Sequence, residues 1–218
     1  HIEVLCQVLE LVPAGAEVVL LGDAEYDNTE MLAWVQAHTT WQFVMRTAGN
    51  LLIGNQGHWH RVDTFEVTHG RLKIIPEIAF TQSAALPANL VVWWGASYDA
   101  PLFLVTSLPT ASRAAYFYRR RFRIETFFSD QKSRGFHIHQ SHLADPARLS
   151  RLLIAACLAY VWMIGLGLLT LANGQHKLID RTDRTDKSIF RLGRDWLKYA
   201  LKQGLPIQVL LRFQPVRC

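Results

Sequence analysis

The sequence predicts an α/β protein with a β-rich insertion and C-terminal helices. Three observations carry this reading. Residues 1–46 run helix, strand, helix, strand. Residues 47–110 are short β-rich runs punctuated by glycine. The remainder is helical, with a basic helix followed by a long run without charge. The expected segments are therefore 1–46, 47–110, 111–174 with the basic and uncharged helices, and 175–218 with a linker and a last helix.

Ile2 to Val12 places Val4, Leu5, Val8, Leu9 and Val12 at helical spacing. Pro13-Ala14-Gly15 breaks that helix. Glu17 to Leu21 holds four consecutive apolar residues, Val18 to Leu21, as in a strand buried on both faces. It ends at Gly22-Asp23. A carboxylate just beyond the C-terminal end of such a strand lies where open α/β sheets place their sites. An isolated aspartate there more often opens a turn or caps the next helix. Asn28 is suited to cap a helix reaching Ala37, with Met31, Leu32 and Val35 inward. Trp41 to Met45 is a second strand, followed by Arg46. The order implies a parallel pair joined by a helical crossover.

Within 47–110 the expected strands are Arg61–Val67, Arg71–Ile78, Asn89–Trp94 and Leu102–Ser107, with His69-Gly70 as a hairpin turn between the first two. Trp59, Trp93 and Trp94 supply either a core or a stacking surface for bases, and core is the commoner use. Tyr118 to Lys132 then reads as one helix. At about 100° per residue, Arg121, Glu125 and Lys132 lie about 60°, 20° and 40° from Tyr118. One arc thus presents a phenol, a carboxylate and two cations, a set suited to a metal ion and a phosphate. A solvated basic face is the plainer alternative. Phe117, Ile124 and Phe128 form an apolar stripe beside the arc.

His137, His139 and His142 follow Gly135. They lack the cysteines or second cluster of a closed zinc site and read better as a loop near phosphate. Asp145-Pro146 opens the next helix. Leu152 to Ala172 is 21 residues without charge, long enough to cross a bilayer. Its alanines and glycines, and its isolation behind a charged helix, favour a core helix. Asp180–Lys187 is a polar linker, and Ile189–Lys202 is an amphipathic helix ended by Gly204-Leu205-Pro206. Ile207–Cys218 is either a strand or a disordered tail.

The chain has 218 residues, half of them hydrophobic, with net charge +5 and pI near 9.3. That suits one sizeable core and a polyanionic partner. Arg113–Arg134 carries seven Lys/Arg against two acidic residues, and Lys177–Arg217 carries ten against four. The basic character therefore lies in the second half. Cys6, Cys157 and Cys218 form no CxxC and suggest a reducing compartment. A start at His1 with no initiator methionine is expected of a fragment or a processed chain.

Tyr118-x-x-Arg121-x-x-x-Glu125 followed by Lys132 resembles the YREK signature of bacterial insertion-sequence transposases of the DDE superfamily. Val19–Asp27 and Phe43–Arg46 resemble the family's segment around its second catalytic aspartate and the strand that follows. The resemblance covers roughly Val18 to Gly174, and the 180–193 segment is similar to family C-termini. It implies an RNase H-like fold that cuts and joins DNA during cut-and-paste transposition with two divalent metals, Mg2+ with Mn2+ as a substitute. Asp23 and Glu125 would be catalytic metal ligands. Tyr118, Arg121 and Lys132 would hold phosphates of the transposon end, with Arg119 and Arg123 adding sequence-independent affinity. The implied partner is double-stranded DNA, bound by a homodimer in the cytoplasm, at the nucleoid, with no membrane.

Two departures bear on activity. No aspartate precedes Asp23, so the family's first catalytic aspartate and the first strands of the fold are missing from this sequence. Ala24 replaces the arginine that often follows the second aspartate. The expectation is a catalytic-domain fragment that is inactive alone. The alternatives are a truncated, non-catalytic DNA-binding remnant and a membrane-associated protein held by Leu152–Ala172.

Overall fold

A computed structural model describes residues 1–132, 135–180 and 187–208. The chain divides into two compact units, His1–Arg123 and Ile124–Cys218. The division falls inside the expected 111–174 segment, just after the arginine-rich stretch.

The first unit is built on one mixed sheet of seven strands. Its helices are α1 (Ile2–Leu11), α2 (Thr29–His38) and α3 (Ala111–Arg120). Its strands are β1 (Val19–Gly22), β2 (Gln42–Thr47), β3 (Leu52–Asn55), β4 (His58–Arg61), β5 (Leu72–Phe80), β6 (Leu86–Trp93) and β7 (Leu102–Thr106). The sheet order is β1-β2-β7-β6-β5-β3-β4. β1 and β2 are parallel, as their helical crossover requires, with Leu21 opposite Val44 and Gly22 opposite Met45. The β-rich segment continues this sheet edge to edge, because β7 pairs antiparallel with β2.

Alternation along the strands sorts side chains to two faces. Phe43 and Met45 of β2, with Leu90 and Val92 of β6, pack with Leu5, Met31, Leu32 and Val35 from α1 and α2. Val44, Val91 and Trp93 point the other way, onto Ala114, Ala115 and Tyr118 of α3. The central strands are therefore covered on both sides. β1 is too, as its apolar run suggests, with Leu20 against one layer and Val19 and Leu21 against the other, but at the sheet edge it is only partly buried up to Gly22.

The β-rich region departs from the expected strands in two places. Arg61–Val67 is not a strand. Arg61 ends β4, and a 3-10 turn follows over Val62–Thr64. Local bonds compete with the ladder there: Arg61 grips Asp63 with two nitrogens, and Thr64 Oγ1 donates to the Arg61 carbonyl at 2.6 Å. His69-Gly70 consequently joins no pair of strands. The hairpin is β3–β4, turning at Gln56-Gly57, both with positive φ as a primed two-residue turn demands. β5 also outruns expectation. It passes Pro76 by a bulge between Ile75 and Ile78 and reaches Phe80.

The second unit contains α4 (Phe122–Gln131, whose first two residues lie in the first unit), α5 (Pro146–Ala172) and α6 (Ile189–Gln203). The sequence signals at the ends of α5 and α6 act as read. Asp145 accepts from the Arg148 N–H at 2.7 Å with Pro146 in the first turn, and Gly204 ends α6 at φ 63°. Met163, Leu166, Gly167 and Thr170 form the stripe of α5 that is buried, and Phe190, Leu192, Gly193, Trp196 and Ala200 do the same on α6. The two helices approach through glycine: a Cβ on Gly193 would strike the Met163 carbonyl oxygen, and one on Gly167 the Ile189 carbonyl.

Most of α5 is not core. It is long and apolar enough to cross a membrane by length and composition, yet only 22% of its most apolar window is buried. Ile154, Leu158, Val161 and Leu168 are exposed. An uncharged run carries no polar face, so its sequence cannot tell which stripe is covered. Of the linker, residues 181–186 lie outside the described residues, as do 209–218 of the tail.

The glycine crossing makes a prediction. Alanine normally stabilises a helix interior over glycine by about 0.5–1 kcal/mol. At position 193 the obstacle is backbone, so overpacking, about 1–3 kcal/mol, should win. Gly193→Ala should therefore lower the midpoint of thermal unfolding followed by circular dichroism. An unchanged or raised midpoint would show that the helices do not cross there.

Candidate functional site

The site begins at the end of the parallel pair. β1 ends at Gly22, where the residue must be glycine because a side chain would meet Met45 Sδ and the Tyr26 Cβ. The chain turns at once, with the Tyr26 N–H donating to the Asp23 carbonyl at 3.0 Å. Asp23 Oδ1 accepts from the Glu25 N–H at 3.2 Å. The plain role of an aspartate in this place, opening a turn, is thus filled. Its other oxygen, Oδ2, lies 3.7 Å from Arg121 Nη1.

Arg121 reaches Asp23 from the end of α3. The Tyr118–Lys132 stretch, expected as one helix, is two: α3 ends at Arg120 and α4 starts at Phe122. The Arg121 N–H bonds back to the Tyr118 carbonyl at 3.0 Å. The single arc of four side chains is therefore not one helical face. Tyr118 sits in the core under β2 and β6 at 7% exposure. Burial, first, raises its hydroxyl above the usual range. Arg121 and Arg46 oppose that rise, Arg121 in part by hydrogen bonding to the hydroxyl, and Asp23 adds to it. The phenol keeps its proton, and its ring lies 5.8 Å from the guanidinium carbon of Arg121.

Arg46 belongs to this group, and sequence reasoning assigned it no role. The signal was present in the register: Gly22 pairs with Met45, so the next step along two parallel strands sets Asp23 beside Arg46. The same end of β2 holds a second carboxylate. Thr47 Oγ1 donates to Asp27 Oδ2 at 2.8 Å. Burial raises Asp27 above its ordinary value, and the Thr47 bond and a backbone bond only partly offset this.

The other site residues are exposed. Trp93 is a core residue, and exposed Arg119 lies over its ring at 5.7 Å. Arg123 is exposed. Glu125, in the first turn of α4, and Lys132, just past its end, are exposed residues of the second unit. The apolar stripe expected beside them is not a core stripe: Ile124 and Phe128 are both half-exposed. His137 and His142 flank a 3-10 turn with positive φ. Among the described residues no group of three or more His, Cys, Asp or Glu side chains converges as a metal cage.

The donor set still bears on a metal. Mg2+ is commonly held by one or two carboxylates and completed by water and substrate phosphate. Asp23, with its side chain 40% exposed, fits as one such ligand. It does not suffice alone.

A carboxylate at an open strand end, bordered by two arginines and a protonated phenol, offers the kind of hydrogen-bond donors that suit phosphate oxygens. A family model described as a transposase DDE domain matches residues 1–162. The match takes in the whole first unit and runs into α5, and the chain belongs to that family. The mixed seven-stranded sheet with its helices is compatible with the RNase H-like fold of such transposases. No curated protein matches the chain.

Asp27 allows a test of the local electrostatics. A raised native value means that the folded state holds this proton more tightly than the unfolded chain does. Its stabilising contribution is then complete at low pH and is lost as pH rises through the native value. Asp27→Asn keeps an oxygen for Thr47. It should melt at or slightly above wild type at pH 7, and the two should converge below about pH 4. A variant melting well below wild type at pH 7 would mean that the charged carboxylate is required.

Proposed function

We propose that this chain carries catalytic-domain residues of an insertion-sequence DNA transposase with the YREK pattern, acting on the phosphodiesters of transposon-end DNA. The observation that carries it is the Asp23–Arg121–Tyr118–Arg46 cluster at the end of β1 and β2. Asp23 and Glu125 are the carboxylates of the site, and they would hold Mg2+, with Mn2+ able to replace it. The metal, when bound, stabilises the attacking and leaving oxygens of an in-line displacement.

The chain's own residues do the positioning. Arg121 and Arg46 bind phosphate oxygens, and a guanidinium matches two of them at once. Tyr118, being buried, acts on the DNA through Arg121: its hydroxyl oxygen accepts from the guanidinium and sets its direction. Lys132 adds a point charge. Arg119 and Arg123 contribute sequence-independent attraction through counterion release. The working form is a homodimer on paired DNA ends in the cytoplasm. Asp23 and Glu125 are two of the three carboxylates that a DDE site takes, so these residues by themselves should not nick DNA.

The test separates grip from chemistry. Arg121→Ala should weaken binding to transposon-end duplex and lower the slope of log K against log salt by about 0.9, one phosphate's worth. Glu125→Gln should bind as wild type does. Supplying the upstream part of a relative's catalytic domain should restore Mg2+-dependent nicking to wild type but not to Asp23→Asn or Glu125→Gln. Equal loss of binding in Arg121→Ala and Glu125→Gln would make Glu125 structural. Robust Glu125-dependent nicking by this polypeptide alone would overturn its proposed dependence on a further carboxylate.

A further inference from the structure

The outer face of α3 interleaves two arginines with two aromatic rings. Arg113, Tyr116, Phe117 and Arg120 fall within an arc of about 100°. Ala114, Ala115 and Tyr118 take the opposite side, into the core. Arg120 lies over the Tyr116 ring at 4.0 Å, donates to its hydroxyl, and reaches Phe117 at 6.0 Å. Arg113 lies over Phe117 at 5.8 Å, and the two rings meet edge to face at 5.3 Å. Phe117 is half-buried against the core, but Tyr116 is 45% exposed. Cations alone would serve to draw in a duplex, whose phosphates lie outside and whose bases are stacked away. That role gives the rings no task. Flat rings alternating with guanidiniums match a strand whose bases are unpaired: a base has a face to stack, and its phosphates take the arginines. Glu17 faces Arg113 at 3.9 Å, with both side chains exposed. Such a contact contributes little and yields to a phosphate.

We infer that the outer face of α3 is a platform for single-stranded DNA, with one base stacked on Tyr116 and the flanking phosphates held by Arg113 and Arg120. At 1.5 Å per residue, Arg113 to Arg120 spans about 10 Å, enough for a short stretch of strand. The face ends one residue before Arg121, which turns in towards Asp23. A strand lying on it would therefore lead to the Asp23 cluster. The inference takes DNA as the partner from the proposed function and adds the unpaired state and the stacked base. Every base has a π-face, so the platform reads single-strandedness and not sequence.

The experiment measures, by fluorescence anisotropy, binding of labelled oligonucleotides to the 218-residue chain. One is a short thymidine strand. The other is an abasic strand of the same length, with the same phosphates and no bases. Wild type should bind the thymidine strand about tenfold more tightly, the effect of one stacked base. Tyr116→Phe, which keeps the ring, should retain that preference. Tyr116→Leu, which keeps apolar bulk without a ring, should lose it. Arg113→Gln should weaken both strands alike and lower the slope of log K against log salt by about 0.7, one single-strand phosphate. A duplex of the same length should bind Tyr116→Leu as it binds wild type. Equal affinity of wild type for the two strands overturns the inference. So does a preference that survives in Tyr116→Leu, or a loss in that variant that is as large on duplex. In those cases duplex binding that still depends on Arg121 leaves the proposed function standing. Absence of any DNA binding by wild type overturns both.

Discussion

β2 is hydrogen-bonded along both edges and buried on both faces, and the first unit depends on it. Its parallel edge holds β1, its antiparallel edge β7. One face rests on the α1–α2 layer and the other on α3. Phe43, Val44 and Met45 are almost wholly shielded from water. Burying three such side chains contributes several kcal/mol in total, about 1.5–3 each. A short edge strand such as β1 could not hold the Asp23 carboxylate at a defined height by itself. It does so because its register is pinned to a strand that has nowhere to move.

The same strand also sets the electrostatics. Its last residues, Arg46 and Thr47, alternate in direction, so one reaches the Asp23–Tyr118 group and the other bonds Asp27. Asp27 carries a raised proton affinity from burial, whereas Asp23 is open to solvent and faces Arg121. Two carboxylates four residues apart thus stand in opposite surroundings, one desolvated and the other facing a cation.

Local chemistry was legible in the sequence, and long-range pairing was not. The strand ending in Gly22-Asp23, the Asn28 cap, the Asp145-Pro146 start and the Gly204 stop each rest on a few adjacent residues and stand where they were read. The order of β3 to β7 rests on pairings far apart in sequence. Arg61–Val67 alternates enough to pass for a strand until the Arg61–Asp63 grip is known. The break at Arg121 has no glycine or proline to announce it. The stripe through Tyr118 looked like an exposed face because arginines surround it, but Tyr118 shares its side of α3 with Ala114 and Ala115 under the sheet. Arg46 needed the parallel register before it could be placed beside Asp23.

The burial of Tyr118 divides the labour among its neighbouring arginines. Arg119 spreads over Trp93, and Arg120 lies over Tyr116, 4.0 Å from the ring centre, and donates to its hydroxyl. Both are exposed, so salt screens their pull on a distant polyanion within roughly a Debye length, about 8–10 Å. They supply attraction with little direction. Arg121, one residue on, is mostly shielded and held between a buried phenol and a carboxylate. Its charge is held in one direction, whereas those of Arg119 and Arg120 lie over aromatic rings at the open surface. Consecutive residues of one type thus stand in two environments, separated by the turn of a helix and by what the sheet leaves uncovered.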